Sequence, residues 1–314
     1  MTQDTVNCNY CGRKTPSARG SCMYCGEALN VASIDVAAPQ RSIESFEPAF
    51  NTVVLPGGST PAAAERVESA LAAALSMPVE EAHAFVSSHK ALPISRSLTR
   101  HEAELVATLV RSCGLGAAIV EDRELMLDVA AVRARRVVIN EEQIEITHPG
   151  GSFTIERSKV RLLVAGMVRS QRTDFTEGAA GVRGKESSII EAYEYRSDLC
   201  LLDVYGSSLT EGFRICSDGF DYSSLVQPLA YRAELNFQAA AAQLSRTAPE
   251  AKLDDDYARV RDLLTRAWPA RTHREARGLK RSGPAYNLVA QSSLVSDNRD
   301  QFDRYSRLMY VLLR

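Results

Sequence analysis

Four cysteines within the first 25 residues constrain this chain more than any other feature. Cys8-Asn9-Tyr10-Cys11-Gly12 is followed, after a short loop, by Cys22-Met23-Tyr24-Cys25-Gly26. Two C-x-x-C pairs at this separation have the spacing of a four-thiolate zinc site. A tight turn lets both thiolates of a pair face one metal, and the glycine after each pair can take the positive φ the turn needs. Four thiolates close the coordination shell, leaving no position for water or substrate, so the expected metal is structural. A redox dithiol would need a strand–helix context that is missing around these cysteines. Cys8, Cys11, Cys22 and Cys25 are therefore the expected ligands of one structural Zn2+. So small a unit has little core, so metal binding would supply its folding energy.

These two knuckles resemble the small zinc-ribbon family over residues 6–29. The resemblance implies a fold and a metal and no reaction. Tyr10 and Tyr24 occupy equivalent places in the knuckles, as expected of packing residues. The loop between them carries Arg13, Lys14 and Arg19.

The rest of the chain reads as a globular protein of several domains. It has 314 residues, 45% apolar and 24% charged, with a formal net charge of −2. That balance excludes wholesale coating of nucleic acid and allows a local basic patch. The remaining cysteines, Cys113, Cys200 and Cys216, stand apart in apolar surroundings, which fits a reducing cytosol better than a disulfide framework. The first residues show no signal-peptide pattern, and no apolar run has the length of a membrane span. A cytoplasmic location is the expectation.

Residues 31–50 contain two prolines and no stable period, and read as a linker. Residues 51–122 read as β-α-α-β-α-β. Thr52–Leu55 is a strand. Pro61 suits a first helical turn, and Val67, Leu71 and Leu75 repeat at helical spacing. Pro78 opens a second helix with Glu80 and Glu81 in its first turn and Ala82, Phe85 and Val86 as its core face. Thr99-Arg100-His101-Glu102 is a capping box opening a helix with Val106, Leu109, Val110 and Cys113 as its stripe. Gly114 is a natural residue to follow it. Over residues 52–121, best in LSMPVEEAHAFVSSHKALPISRSLTRHEAELVATLVRSCGLGAAIV, this unit resembles the C-terminal domain of the bacterial ribosomal stalk protein. That family contacts translation GTPases through basic residues of its first helix. Here the matching positions include Ser69 and Ala72, with Glu68 beside them, so the resemblance implies the fold and not the ribosomal role.

Residues 123–250 change to strand periodicity. Arg136–Ile139 and Gln143–Ile146 alternate around Asn140-Glu141-Glu142 as a hairpin. Phe153–Ile155, Val160–Val168, Leu199–Tyr205 and Phe213–Cys216 read as further strands. Gln171–Ser188 reads as a long loop, and Tyr231–Ser245 as a closing helix. Ala179–Glu186 has the length of a phosphate-binding loop, but Ala179 stands where its first glycine should be and Glu186 where Ser or Thr should hold magnesium. Strands closed by one helix resemble a pleckstrin-homology-like barrel.

Residues 251–314 read as a helical segment with a basic joint. Asp254–Trp268 is amphipathic through Val260, Leu263, Leu264 and Trp268. Arg271–Arg281 is basic, with Arg271, Arg274, Arg277, Lys280 and Arg281. Asp300–Leu313 presents Phe302, Tyr305, Met309 and Leu312, a stripe expected to pack inside the protein. Eight Lys/Arg and two acids lie between Arg259 and Arg281, an excess that suits phosphates or acidic neighbours in the same protein.

The fold class expected is thus a multidomain α+β protein: zinc ribbon (1–30), linker (31–50), stalk-like domain (51–122), barrel-like domain (123–250) and helical segment (251–314). The five histidines have no ligand spacing to one another, and no nucleophile–base pattern stands out. The leading expectation is a non-enzymatic zinc-binding interaction protein that uses small binding modules to hold a protein partner. The alternatives are a nucleic-acid- or ribosome-associated protein, using the ribbon and the 259–281 segment, and an enzyme whose site is assembled only by folding.

Overall fold

A computed structural model describes residues 5–7, 11–16, 23–25, 43, 47–57, 61–178, 189–282 and 287–313. Among them the chain is mixed α+β, with six α-helices and several sheets. No helix among the described residues is long and apolar enough to cross a membrane.

The first strands, β1 (Thr5–Asn7) and β2 (Lys14–Pro16), form a short antiparallel hairpin. Next come β3 (Phe50–Leu55), α1 (Pro61–Leu75), α2 (Val79–Ser87), β4 (Leu92–Ser97), α3 (Arg100–Ser112) and β5 (Gly116–Glu121). This is the β-α-α-β-α-β order read from the sequence. Strand β3 lies in the middle of its sheet, antiparallel to both β4 and β5. The local signals act as expected. Thr99 accepts the backbone N–H of Glu102 while the Glu102 carboxylate accepts that of Thr99, completing the capping box. Gly114 takes φ +87° just past α3, where a side chain would be strained. Leu71, Phe85, Val106 and Val110 are buried together, with Val67 and Leu109 half-buried against them.

A three-stranded meander follows: β6 (Arg136–Ile139), β7 (Gln143–His148) and β8 (Gly151–Glu156). Then come two long strands, β9 (Leu162–Gly178) and β10 (Ile189–Tyr205), and the shorter β11 (Gly212–Cys216). Helix α4 (Ala233–Thr247), strand β12 (Lys252–Asp254) and helix α5 (Tyr257–Leu264) lead to β13 (Arg271–Ser282), β14 (Asn287–Asp297) and α6 (Arg299–Val311). The large sheet has the order β11-β10-β9-β14-β13, with β12 parallel to the inner end of β9.

Two expectations fail here. Residues 171–178 are strand, where the sequence reads as part of a loop spanning Gln171–Ser188. Thr173, Phe175 and Thr176 suit a strand, and β10 and β14 satisfy both edges of β9 through this stretch. The described part of the loop is therefore paired backbone; residues 179–188, with the phosphate-loop-like stretch, lie outside the described residues. The second failure is the helical reading of 251–314. Helices α5 and α6 are present, but Arg271–Ser282 is an antiparallel hairpin strand paired with Asn287–Asp297. Val289 and Val295 favour a strand, and β9 presents an edge for β14 to complete. Pairing of β14 with both neighbours sets the conformation of the basic segment.

Alternation along β9 divides the interior in two. Leu162, Val164 and Val168 join a core with Tyr257, Val260, Phe302, Tyr305 and Leu308, while Leu163 joins another with Ile144, Ile155, Phe237 and Leu244. Helices α5 and α6 thus cover one face of the sheet, and the meander with α4 covers the other. Phe302, Tyr305 and Leu308 are fully enclosed, with Met309 and Leu312 half-buried. Each large enclosed side chain contributes roughly 1.5–3 kcal/mol by burial, so α6 is a central structural element.

The first of these cores is continuous with that of residues 50–121. Polar contacts fasten the same junction. Asp122 accepts Arg96 Nη2 at 2.6 Å and Arg304 Nη1 at 2.7 Å. Trp268 Nε1 donates to Asn51 Oδ1 at 2.8 Å. Lys90 Nζ donates to Asp254, whose other oxygen accepts the Tyr305 hydroxyl at 2.7 Å.

Candidate functional site

Cys8 and Cys22 lie outside the described residues. Cys11 is half-buried in the turn leading to β2, and Cys25 is exposed in the turn Met23–Cys25. Gly12 takes φ +70°, the conformation the first knuckle requires. The β1–β2 hairpin brackets the first C-x-x-C pair. Arg13 of that knuckle lies 5.1 Å from the ring centre of Tyr24 in the second, so the two turns are neighbours. Among the described residues no group of three or more metal-ligating side chains gathers. The two described cysteines thus stand in neighbouring turns, and thiolates are donors that suit tetrahedral zinc.

Among the described side chains of the basic segment, Arg271, Arg274 and Arg277 do not share one face. Strand geometry sends alternate side chains to opposite faces. Arg277 approaches Asp174 at 3.5 Å on one face. Arg274 donates to Ser292 Oγ and stacks 6.0 Å from the Phe175 ring centre on the other. Arg271 lies 3.8 Å from Asp300. Lys280 and Arg281 continue the strand toward its outer end, paired in register with Val289 and Leu288.

What the hairpin builds instead is an arm. The outer halves of β10, β9, β14 and β13 form a four-stranded antiparallel ribbon. Residues 191–198 of β10 are exposed throughout, with Tyr193 and Tyr195 at 55% and 56% exposure. Register places Tyr193, Asp174, Ser293 and Glu275 in one cross-strand row, and Tyr195, Arg172, Val295 and His273 in the next row on the same face. Ser293 Oγ donates to Asp174 at 2.6 Å, and Arg172 pairs with Asp174. These bonds hold the Asp174 carboxyl below its ordinary range, the serine first and the arginine second. The ribbon is thus ordered by polar ladders and presents two tyrosine rings.

Beneath the root of the arm, the opposite face of β9, β10 and β14 meets α5 across a cavity of about 660 Å³. Gln171, Arg169, Arg196 and Ser296 line it from the sheet, and Arg261 and Thr265 from α5. A second cavity, of about 480 Å³, lies between α6, β11 and residues 127–131. Its arginines are mostly committed. Arg214 holds Asp203 through two bonds, at 2.6 and 2.8 Å, and Asp303 through a third. Arg307 donates to the carbonyls of Leu125, Met126 and Val129. Burial pushes the Tyr205 hydroxyl far above its ordinary range, with Asp203 adding to the effect, so it stays a neutral donor within this cluster. Cys216 lies at the cavity wall, and burial raises its thiol above the ordinary value. A buried, protonated thiol is a poor nucleophile.

The sequence reading missed the arm and Arg261. The arm gives no local signal, because its charges alternate and neither of its faces is apolar. Arg261 does give one: it occupies a stripe position of α5 together with Tyr257, Val260 and Leu264, all buried. A charged residue on an apolar stripe marks a site to inspect. No protein-family model, curated protein or solved structure matches the chain.

Proposed function

We propose that this chain is a non-enzymatic, zinc-binding interaction protein of the cytoplasm, and that the four-stranded arm is its principal partner surface. The observation that carries this reading is the exposed face of the arm, where Tyr193 and Tyr195 stand half-exposed above an ordered polar ladder. Exposed tyrosines on a rigid scaffold offer large contact area at small entropic cost. The strand edges of β13 and of the outer half of β10 add backbone groups that an extended partner segment could pair. In this reading residues 6–29 are a zinc ribbon, and the β1–β2 hairpin with Gly12 supports that assignment. The β3-α1-α2-β4-α3-β5 order supports a stalk-like unit at 52–121. The packing of α4 across two groups of strands supports a pleckstrin-homology-like unit at 123–250.

The test compares crosslinking and affinity capture from the native cell by three full-length or near-full-length proteins: wild type, the Tyr193→Ser/Tyr195→Ser double variant, and a chain lacking residues 1–30. Loss of a specific partner from the double variant, at unchanged melting temperature, is the expected result. Capture that is identical for all three proteins would refute the reading.

A second reading is association with nucleic acid. Arg172 lies beside Tyr195 across the ladder, and Arg271, Arg274 and Arg277 follow on the edge strand. Paired aromatics with cations are the elements of a base-stacking platform. RNA binding that weakens steeply with salt and is lost in the double tyrosine variant would favour this reading over a protein partner.

A further inference from the structure

Arg261 is 8% exposed, and its Nη1 atom is buried with no hydrogen-bond partner. The nearest acid, Asp262, approaches its Nε only to 3.8 Å and is itself 94% exposed. The buried Arg304 and Arg307 differ: Arg304 pairs with Asp122, and Arg307 has three carbonyls. A buried guanidinium N–H without a partner is costly, because it has lost water and gained nothing in exchange. Arg261 also lines the 660 Å³ cavity at the root of the arm. That volume lies within the range of small-molecule sites.

The cavity wall indicates what fits. Arg169 and Arg196 reach it from β9 and β10, so three guanidinium groups face one space. Arg196 is paired with Glu194 at 2.6 Å, while Arg169 has no ion pair among the described residues. Asp198, Asp262 and Asp297 also line the space. Three carboxylates exclude a polyanion and offer acceptors for hydroxyl groups. The geometry points to a binding site for a small phosphorylated polyol, such as a sugar phosphate, with its phosphate on Arg261 and Arg169 and its hydroxyls on the aspartates. Guanidinium groups suit phosphate because their planar N–H fork matches two of its oxygens. A ligand here would touch the roots of β9, β10 and β14 together and so bias the arm above them.

The experiment is thermal denaturation and calorimetric titration of the full chain with glucose 6-phosphate, inorganic phosphate and glucose, at constant ionic strength. A ligand that binds the folded state raises the melting temperature as its concentration exceeds Kd. Glucose 6-phosphate should give a saturable rise, inorganic phosphate a smaller one, and glucose none. Arg261→Met should abolish the response while melting no lower than wild type without ligand, since a buried charge whose Nη1 has no partner has been removed. Arg169→Gln, on an exposed residue, should weaken the response about tenfold in Kd and leave the unliganded melting temperature unchanged. The proposal is overturned if wild type shows no saturable rise at millimolar glucose 6-phosphate or phosphate, or if either variant responds as wild type does. If Arg261→Met fails to fold, the Arg169→Gln titration decides.

Discussion

Replacing Gly166 by alanine should destabilise the protein sharply, although the change adds one methyl group. Gly166 lies on β9 opposite Leu201, on the side of the sheet that α6 covers. A Cβ built there would stand 2.5 Å from Phe302 Cε2 and 2.7 Å from Tyr257 Cδ1. Carbon atoms in contact prefer about 3.5–4.0 Å, so both rings would have to retreat by about 1 Å. Neither has room. Phe302 and Tyr257 are fully buried and packed edge to face with centroids 5.0 Å apart. The Tyr257 hydroxyl donates to Asn298 O and Gln301 Oε1, and Arg214 lies over the Phe302 ring, 5.3 Å from its centre. Overpacking costs typically about 1–3 kcal/mol, and a site held from this many directions belongs at the upper end. Taking about 2–4 °C per kcal/mol for a chain of this size class, the melting temperature should fall by about 6–12 °C. Urea denaturation should show a lower midpoint at unchanged slope. Phe302→Leu should relieve the clash, so the double variant should be more stable than the sum of its parts predicts, by more than about 0.5 kcal/mol. A Gly166→Ala protein that melts within 1–2 °C of wild type (about 0.5 kcal/mol) would refute the placement of α6 on this sheet.

Purified under reducing conditions, the chain should hold one zinc per molecule on Cys8, Cys11, Cys22 and Cys25, and Cys11→Ser should reduce that to well below half an equivalent; full zinc content in the variant would remove Cys11 from the ligand set. Asp122→Ala would leave Arg96 and Arg304 buried without their shared anion and should cost about 3–5 kcal/mol, read by urea denaturation; a loss below about 1 kcal/mol would mean the junction is not held this way. Deletion of 299–314 should expose apolar surface to a hydrophobic dye and abolish cooperative melting, whereas an unchanged transition would make α6 a peripheral element. At Asp256, burial raises the carboxyl, but Lys90 and Arg259 outweigh it and hold it below its ordinary range. Its contribution is therefore present above the ordinary carboxylate pKa of about 3.9 and fades as the pH falls below it, so the gap between wild type and Asp256→Asn should narrow in acid; a constant gap would contradict this.

What was legible in the sequence was whatever is fixed locally. The capping box at Thr99–Glu102, the proline at the start of α1 and Gly114 act within one helical turn, and they give the element order of 50–121 directly. The apolar stripe Phe302–Tyr305 marked α6 as buried. The arm was not legible, because its conformation depends on partners far away in sequence. Residues 171–178 carry Arg172, Asp174 and Glu177 among polar neighbours, a composition that looks the same in a loop and in a solvent-facing strand. Arg271–Arg281 has the charge of an exposed helix face, and only pairing with Asn287–Asp297 makes it a strand. The cavity at the root of the arm was hidden for the same reason: Arg169, Arg196 and Arg261 come from three elements brought together by folding. Of its residues, Arg261 alone betrays itself, by interrupting an apolar stripe.

The position of β9 in the large sheet sets an order of events during synthesis. Its outer half, residues 170–178, pairs on one side with β10, which follows soon after, and on the other with β14, on the order of a hundred residues later. At ribosomal speeds of roughly 5–20 residues per second, that edge waits on the order of ten seconds for its second neighbour. An open strand edge is a template for the wrong partner. Arg169 and Arg172 are basic and Asp174 and Glu177 acidic along this stretch, so parallel in-register association with another nascent copy would set like charges side by side. Neutralising two of these charges should therefore lower the yield of soluble protein at high expression while leaving the stability of the finished fold almost untouched.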